Sequence, residues 1–265
     1  MGFSRLHFCG MLAFLFAMVS PGGAIRIGKE DRSTFEEFRM LHQLSENQIQ
    51  ELFGASLRVV CPWGVAGASL VTREGAFVSV DHIFFGKDAK REPLKKCFVE
   101  TLFGKKRLEI DPRHYYRGRD IRREASVNEQ DIFVGRVLLK SLDILPYRVG
   151  RTKVTGEQVI SVSQGQINWK GKRYPTPSVG QCTILSTTAL SMFSDCDSDK
   201  GSSGASLLDF SLGEPPKLVG VGIWTYYGDR GPYSSRDCDD TTKCATQHLS
   251  IGVDIIEKIS AVSSQ

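Results

Sequence analysis

The stretch Asp195–Leu208 contains Gly201-Ser202-Ser203-Gly204, a serine bracketed by glycines between a polar loop and an apolar run. A nucleophilic serine needs a tight turn that presents its hydroxyl. It also needs backbone N–H groups that can meet a developing oxyanion, and neighbouring glycine lets those amides face a substrate. Alone, such a tetrapeptide is more often an ordinary surface turn. Two other places give it meaning. His82 follows the apolar run Ala76–Val80 at a point where the chain must turn, so its imidazole can serve as a base toward Ser203. Asp131 heads the apolar run Ile132–Leu138. A carboxylate buried there needs an N–H donor, which Nδ1 of His82 would supply. The chemistry of such a set is acyl transfer through a covalent serine intermediate. His42, His114 and His248 are expected to be structural.

The elements that must position these residues begin after a leader. Arg5 precedes the apolar run Phe8–Val19, Ser20-Pro21 breaks it, and Gly22-Gly23-Ala24 offers a small-residue cleavage site. This is the layout of a secretory signal peptide over residues 1–24, and the run is too short for a membrane anchor. Removing 24 of 265 residues leaves 241. The same cut takes Cys9 and leaves six of seven cysteines (61, 97, 182, 196, 238 and 244), an even set expected to form disulfides in an exported chain. No C-x-x-C pair occurs, so neither a zinc site nor any other metal is expected. Formal charge falls from +4 to +3 with the loss of Arg5, and bases and acids interleave, which excludes a nucleic-acid footprint. No membrane association is expected after leader removal.

Residues 25–54 read as helical. Ser33-Thr34-Phe35-Glu36 and Ser45-Glu46-Asn47-Gln48 have capping-box spacing, and Gly54 is a helix stop. This segment is a propeptide, a packing arm or part of the fold. From residue 55 the pattern changes to short β-branched and aromatic runs: Leu57–Cys61, Ala66–Val71, Ala76–Val80, Phe98–Phe103, Asp131–Lys140, Gln158–Val162, Cys182–Thr187, Ala205–Asp209 and Lys217–Tyr226. Ile160–Lys170 reads as strands around a glycine turn. Strands without alternating helices predict an antiparallel sandwich or barrel. Val253–Val262 has helical spacing at Ile255, Ile256, Ile259 and Val262. There is no internal sequence repeat, and a linker is expected near 141–150.

The order His82, Asp131, Ser203, in these contexts, resembles the chymotrypsin-fold (trypsin-like) serine peptidases. Asp131-Ile132-Phe133-Val134 is similar to that family's Asp-Ile-Ala-Val strand, and Gly201–Leu208 to its Gly-x-Ser-Gly-x-Pro-Leu segment. Gly28-Lys29-Glu30-Asp31-Arg32 and Gly67-Ala68-Ser69-Leu70-Val71 are similar to stretches of the bacterial glutamyl-endopeptidase-like branch. The resemblance implies an all-β fold of two six-stranded antiparallel Greek-key barrels with an N-terminal helical segment and a C-terminal helix. Barrels are expected over 55–145 and 146–265. It implies a secreted, monomeric, cofactor-free endopeptidase acting on protein or peptide substrates. His82, Asp131 and Ser203 would form its triad, with an oxyanion hole from the N–H groups of Gly201 and Ser203. Asp197, six residues before Ser203, stands where trypsin carries its pocket aspartate and would favour Arg or Lys. Glutamate-specific relatives place a histidine after the Gly-Ile of a later strand, where this chain has Trp224.

The departures are specific. Val80-Asp81-His82-Ile83 replaces the usual Ala-Ala-His-Cys, and a Cys61–Cys97 bridge would still span that loop. Ser202 stands where vertebrate enzymes have the aspartate that pairs with a new N-terminus, so Ile25 has no such partner. Ala205-Ser206 replaces Gly-Pro or Ser-Pro. Three other readings compete. Asp195, Asp197 and Asp199 alternate like a calcium loop, but Lys200 and Ser206 occupy its glycine and glutamate positions. An α/β-hydrolase with Ser203, Asp239 or Asp240 and His248 would need a helix after the serine, where Ala205–Asp209 reads as a strand. A secreted pseudo-peptidase or binding module would keep the barrels without turnover.

Overall fold

The computed structural model describes residues 32–85, 94–138, 143–164, 167–169, 172–174, 177–196, 202–211, 214–227 and 244–264. The leader, Ile25 and residues 28–31 of the glutamyl-endopeptidase-like stretch lie outside them.

Ser33–Thr34 (β1) leads into helices α1 (Phe35–Leu41) and α2 (Glu46–Phe53). The α2 box is as expected, Ser45 with Gln48. The α1 box is shifted by one residue, to Thr34 with Glu37. The cause is that Ser33 and Thr34 are both paired as strand, with Val179 and Ser178, so the helix starts at Phe35 and the extended Thr34 is its N-cap. Glu36 instead pairs with Arg39 one turn on. The helices form an aromatic arm. Phe35 stacks on Phe53 (5.6 Å) and leans on Phe103 (5.2 Å), while Phe38 meets Phe53 and Phe210 edge-on.

The first barrel comprises β2 (Ser56–Cys61), β3 (Gly64–Leu70), β4 (Ala76–Ser79), β5 (Phe98–Thr101), β6 (Arg107–Arg117) and β7 (Phe133–Val137). Short helices α3 (His82–Phe85) and α4 (Gly118–Ile121) follow β4 and β6. β4 skips to β7 before the sheet returns through β6 and β5 to β2. After β8 (Arg148–Val149) come β9 (Gln158–Ser163), the hairpin β10 (Ile167–Trp169) and β11 (Lys172–Tyr174), then β12 (Ser178–Thr187) and β13 (Ser191–Ser194). The chain continues through β14 (Ser206–Asp209), β15 (Lys217–Tyr227), β16 (Cys244–Ser250) and α5 (Val253–Ser263). Because β9 pairs with both β12 and β14, the second sheet also closes, in the order β9, β12, β13, β16, β15, β14. The two six-stranded antiparallel barrels thus share one strand order: first, second, third, sixth, fifth, fourth.

Some strands differ from the sequence expectation. β1, β6, β8, β11, β13 and β16 are additional, and β12 starts four residues early. In β6, Asp111-Pro112 interrupts the strand pattern and the register shifts between Ile110 and Tyr115. Proline is tolerated at such a bulge because no ladder donor is required there. Buried Asp111 closes the bulge by accepting from Arg113 N (3.0 Å) and contacting His114 Nδ1 (2.8 Å). The predicted helix at the C-terminus is present as α5 and packs back on β4, β6 and β7. Ile255, Ile259 and Val262 are buried, whereas Ile256 faces outward. Arg122 fixes its start, bonding Asp254 Oδ2 (2.6 Å) and the Ser250 carbonyl (2.8 Å).

Among the described residues two disulfides occur. Cys61–Cys97, the bridge expected to span the His82 loop, ties the end of β2 to the entry of β5, and Cys182–Cys196 ties β12 to the exit of β13. No described helix is long and apolar enough to cross a membrane. With 36 residues of sequence separation, loss of Cys61–Cys97 releases a long loop in the unfolded chain. The double variant Cys61→Ser/Cys97→Ser is expected to lose about 3–4 kcal/mol by urea denaturation without reductant.

Candidate active site

His82 opens α3, just beyond the entirely buried strand β4 and the connecting pair Val80-Asp81. The aromatic side chains of α3 anchor this turn. Phe84 lies 4.2 Å from the ring of Phe133, and Phe85 sits against both Phe133 and Tyr115. Phe133 is two residues after Asp131, so apolar packing beneath the turn sets the separation of the polar groups above it. Asp131 is buried, and its carboxylate takes two donors from one residue. His82 N donates to Oδ1 (2.8 Å), and His82 Nδ1 lies 2.6 Å from Oδ2. A proton on Nδ1 makes Nε2 the basic nitrogen.

Ser203 sits in the turn before β14. Its carbonyl accepts from Gly67 N in β3 of the other barrel (2.7 Å). Gly204 takes φ +79°, and a Cβ there would lie 2.0 Å from the Gly67 carbonyl oxygen. Only glycine permits both the left-handed conformation and that approach. Gly204 N donates to Gly222 O (2.7 Å) and Gly222 N to Ala205 O (2.9 Å), which clamps the turn to β15. Ser203 Oγ faces the Ile223 carbonyl at 3.4 Å. The Gly67 carbonyl in turn accepts from Ser79 Oγ (2.7 Å), three residues before His82. The serine turn and the His82 turn are therefore fastened to the same residue of β3.

Gly201 and Asp197 lie outside the described residues, as does the side chain of Trp224, whose backbone pairs with Gln247. Asp239 and Asp240 also lie outside them. The residue after the serine turn enters strand β14, and His248 is buried in β16 with Nε2 on Ser194 Oγ (2.7 Å). These features overturn the α/β-hydrolase arrangement. Asp195, first of the alternating acids, accepts the Thr183 amide inside the barrel.

No family model and no curated protein sequence matches this chain. A solved structure of a Glu endopeptidase, in complex with MPD, superposes with a TM-score of 0.62. It covers 91% of this chain and 100% of its own, at 11% sequence identity. The chain has the chymotrypsin fold.

Within the chymotrypsin fold, the departures from the peptidase pattern have partners. Ser202 is buried and accepts from Ser163 Oγ (2.9 Å), a neutral hydroxyl pair. Ser206 Oγ meets Ser56 Oγ (3.0 Å) and Ser69 Oγ (2.7 Å), and Ser56 reaches Tyr147 Oη (2.8 Å). This buried hydroxyl chain crosses from β14 to β2 and β3. Asp81 pairs with buried Arg117. Sequence reasoning missed these partners. The available signal was a small polar residue amid apolar strand positions at Ser56 and Ser69.

Behind Gly222, where a Cβ would approach to 3.5 Å, stands Nδ1 of His248, which has no hydrogen-bond partner among the described residues. Burial lowers this imidazole from 6.5 to about 3. The unfolded chain binds a proton there below pH 6.5 and the folded chain does not until near 3, so stability is full above 6.5 and is lost as pH falls through that window. In His248→Gln, urea denaturation between pH 6 and pH 4 is expected to show a stability slope shallower by about 1.4 kcal/mol per pH unit than wild type.

Proposed function

We propose that this chain is an exported serine endopeptidase acting on protein or peptide substrates. Ser203 is the nucleophile, His82 the general base and Asp131 the residue that orients it. The observation that carries the reading is the double hydrogen bond from His82 to Asp131, on a turn fastened to the same Gly67 that holds the Ser203 turn. Ser203 Oγ attacks the scissile carbonyl carbon while His82 Nε2 takes its proton. The N–H groups of Gly201 and Ser203 would stabilise the tetrahedral oxyanion. Collapse expels the amine, which receives the proton from His82, and water repeats the sequence on the acyl-enzyme. Asp131 remains ionised through the cycle and stabilises the imidazolium.

Export is supported by the leader pattern of residues 1–24 and by two disulfides, which persist in oxidising compartments. For the primary pocket, the carboxylate of Asp197 would favour a basic side chain of opposite charge. The solved relative is a Glu endopeptidase, so an acidic side chain is the competing preference.

A fluorophosphonate probe is expected to label the purified wild type and to leave Ser203→Ala unlabelled. Asp131→Asn should lower kcat by about 10⁴ while retaining the fold. Peptides ending in Arg, Glu and Phe, assayed side by side, should be cleaved best after Arg. A folded wild type that takes no label would instead support the binding-module reading.

A further inference from the structure

Asp81 and Arg117 lie beneath the candidate site and take no part in the triad chemistry. Asp81 is buried between β4 and His82. Its carboxylate accepts from Arg117 Nε (2.9 Å to Oδ1) and from Nη2 (2.6 Å to Oδ2), a two-pronged pair. Arg117 is itself buried at the end of β6, with Cζ 3.7 Å from the centre of the Phe85 ring in α3. Its register sets it opposite Phe133, and the next amide, Gly118 N, donates to the Ile132 carbonyl at 2.6 Å. The Asp81 carbonyl accepts from the amides of both Phe84 and Phe85 (3.1 Å each). The pair is thus attached to the turn that carries His82 and to the segment that carries Asp131.

Among the described residues, the charges that act on Asp81 are those of Asp131, of Arg117 from β6 and of Arg119 from α4, and Tyr115 packs against Phe85 and Phe133. Burial pushes the Asp81 carboxyl up, Arg117 opposes that, and the charge of Asp131 adds to it. A second uncompensated carboxylate beside the imidazole would hold the imidazolium and withhold the free base; an uncompensated guanidinium would do the reverse.

We propose that Asp81 and Arg117 are a positioning pair for His82, fixing the turn that presents the imidazole and cancelling each other's charge so that its proton is governed by Asp131. This rests on His82 being the general base. Removing one partner leaves a buried charge unmatched, whereas removing both does not.

The test uses the full exported chain with Arg117→Met, Asp81→Asn and the double variant. It follows kcat/KM against pH and, in parallel, the His82 imidazole titration by NMR. Arg117→Met is expected to move the acid limb up by about one pH unit, and Asp81→Asn to move it down by about as much. The double variant should return to wild type. If Arg117→Met does not fold, the downward shift in Asp81→Asn and its reversal in the double variant carry the test. Limbs that stay in place, or that move the same way in both single variants, overturn the proposal. If the wild type takes no fluorophosphonate label, the peptidase reading fails by itself. The NMR titration then still decides the pair, with opposite shifts upholding it and coincident midpoints overturning it.

Discussion

The close approach of two backbones at Gly67 and Ser203-Gly204 is the constraint on which the rest of the molecule depends. Each barrel could close without the other, but the candidate site exists only where they meet. A 2.7 Å amide-to-carbonyl bond between barrels demands that no side chain stand between the strands, and glycine on both sides satisfies that demand. The Gly67 carbonyl then serves Ser79, so the position of the serine turn is passed to the strand that delivers His82. Around this contact the seam is polar rather than oily, with the Tyr147–Ser56–Ser206–Ser69 hydroxyls bonded in series. Such a seam is specific in a way that apolar packing is not, because sliding it would strand buried hydroxyls at about 1–3 kcal/mol each. The aromatic arm of α1 and α2 spans the same division, touching Phe103 on one side and Phe210 on the other.

Beneath the polar groups lies an apolar foundation. Phe84 and Phe133 are each two residues from the group they support, His82 and Asp131, and their rings are 4.2 Å apart. Local geometry makes this possible. His82 and Phe84 lie in the short helix α3, where residues two apart project to different sides, and Asp131 lies just ahead of β7, outside its alternation. Packing density in the barrel thereby fixes the distance between imidazole and carboxylate more firmly than the hydrogen bond alone could, since the bond itself contributes only about 1–3 kcal/mol.

What could be read from sequence depended on how local each determinant is. His82, Asp131 and Ser203 each stand at the edge of a short apolar run, so their contexts were visible within ten residues. The C-terminal helix was visible by its periodicity, and the capping box at Ser45 by its spacing. At α1 two overlapping boxes were available, and strand pairing with β12, a contact some 145 residues away, chose between them. β6 was hidden because its bulge places Asp111, Pro112 and Arg113 in mid-strand, which breaks the alternation that marks a strand. The shared strand order of the two barrels left no trace as a sequence repeat, since topology constrains only where apolar positions fall. The partners of Asp81, Ser202 and Ser206 are long-range, and no window of sequence contains them.

Those three positions bear on how the two turns of the candidate site are held. Each places a polar or charged side chain in a buried place. Left unpaired, such buried polar groups would destabilise the fold. Here each substitution is matched by a second residue from another strand: Arg117 for Asp81, Ser163 for Ser202, and Ser56 with Ser69 for Ser206. Matched pairs of this kind require two compatible residues to be present together. They cluster at the turn that carries His82 and the turn that carries Ser203. That clustering ties both turns to the barrel interiors through polar contacts that come from other strands and hold each turn in place.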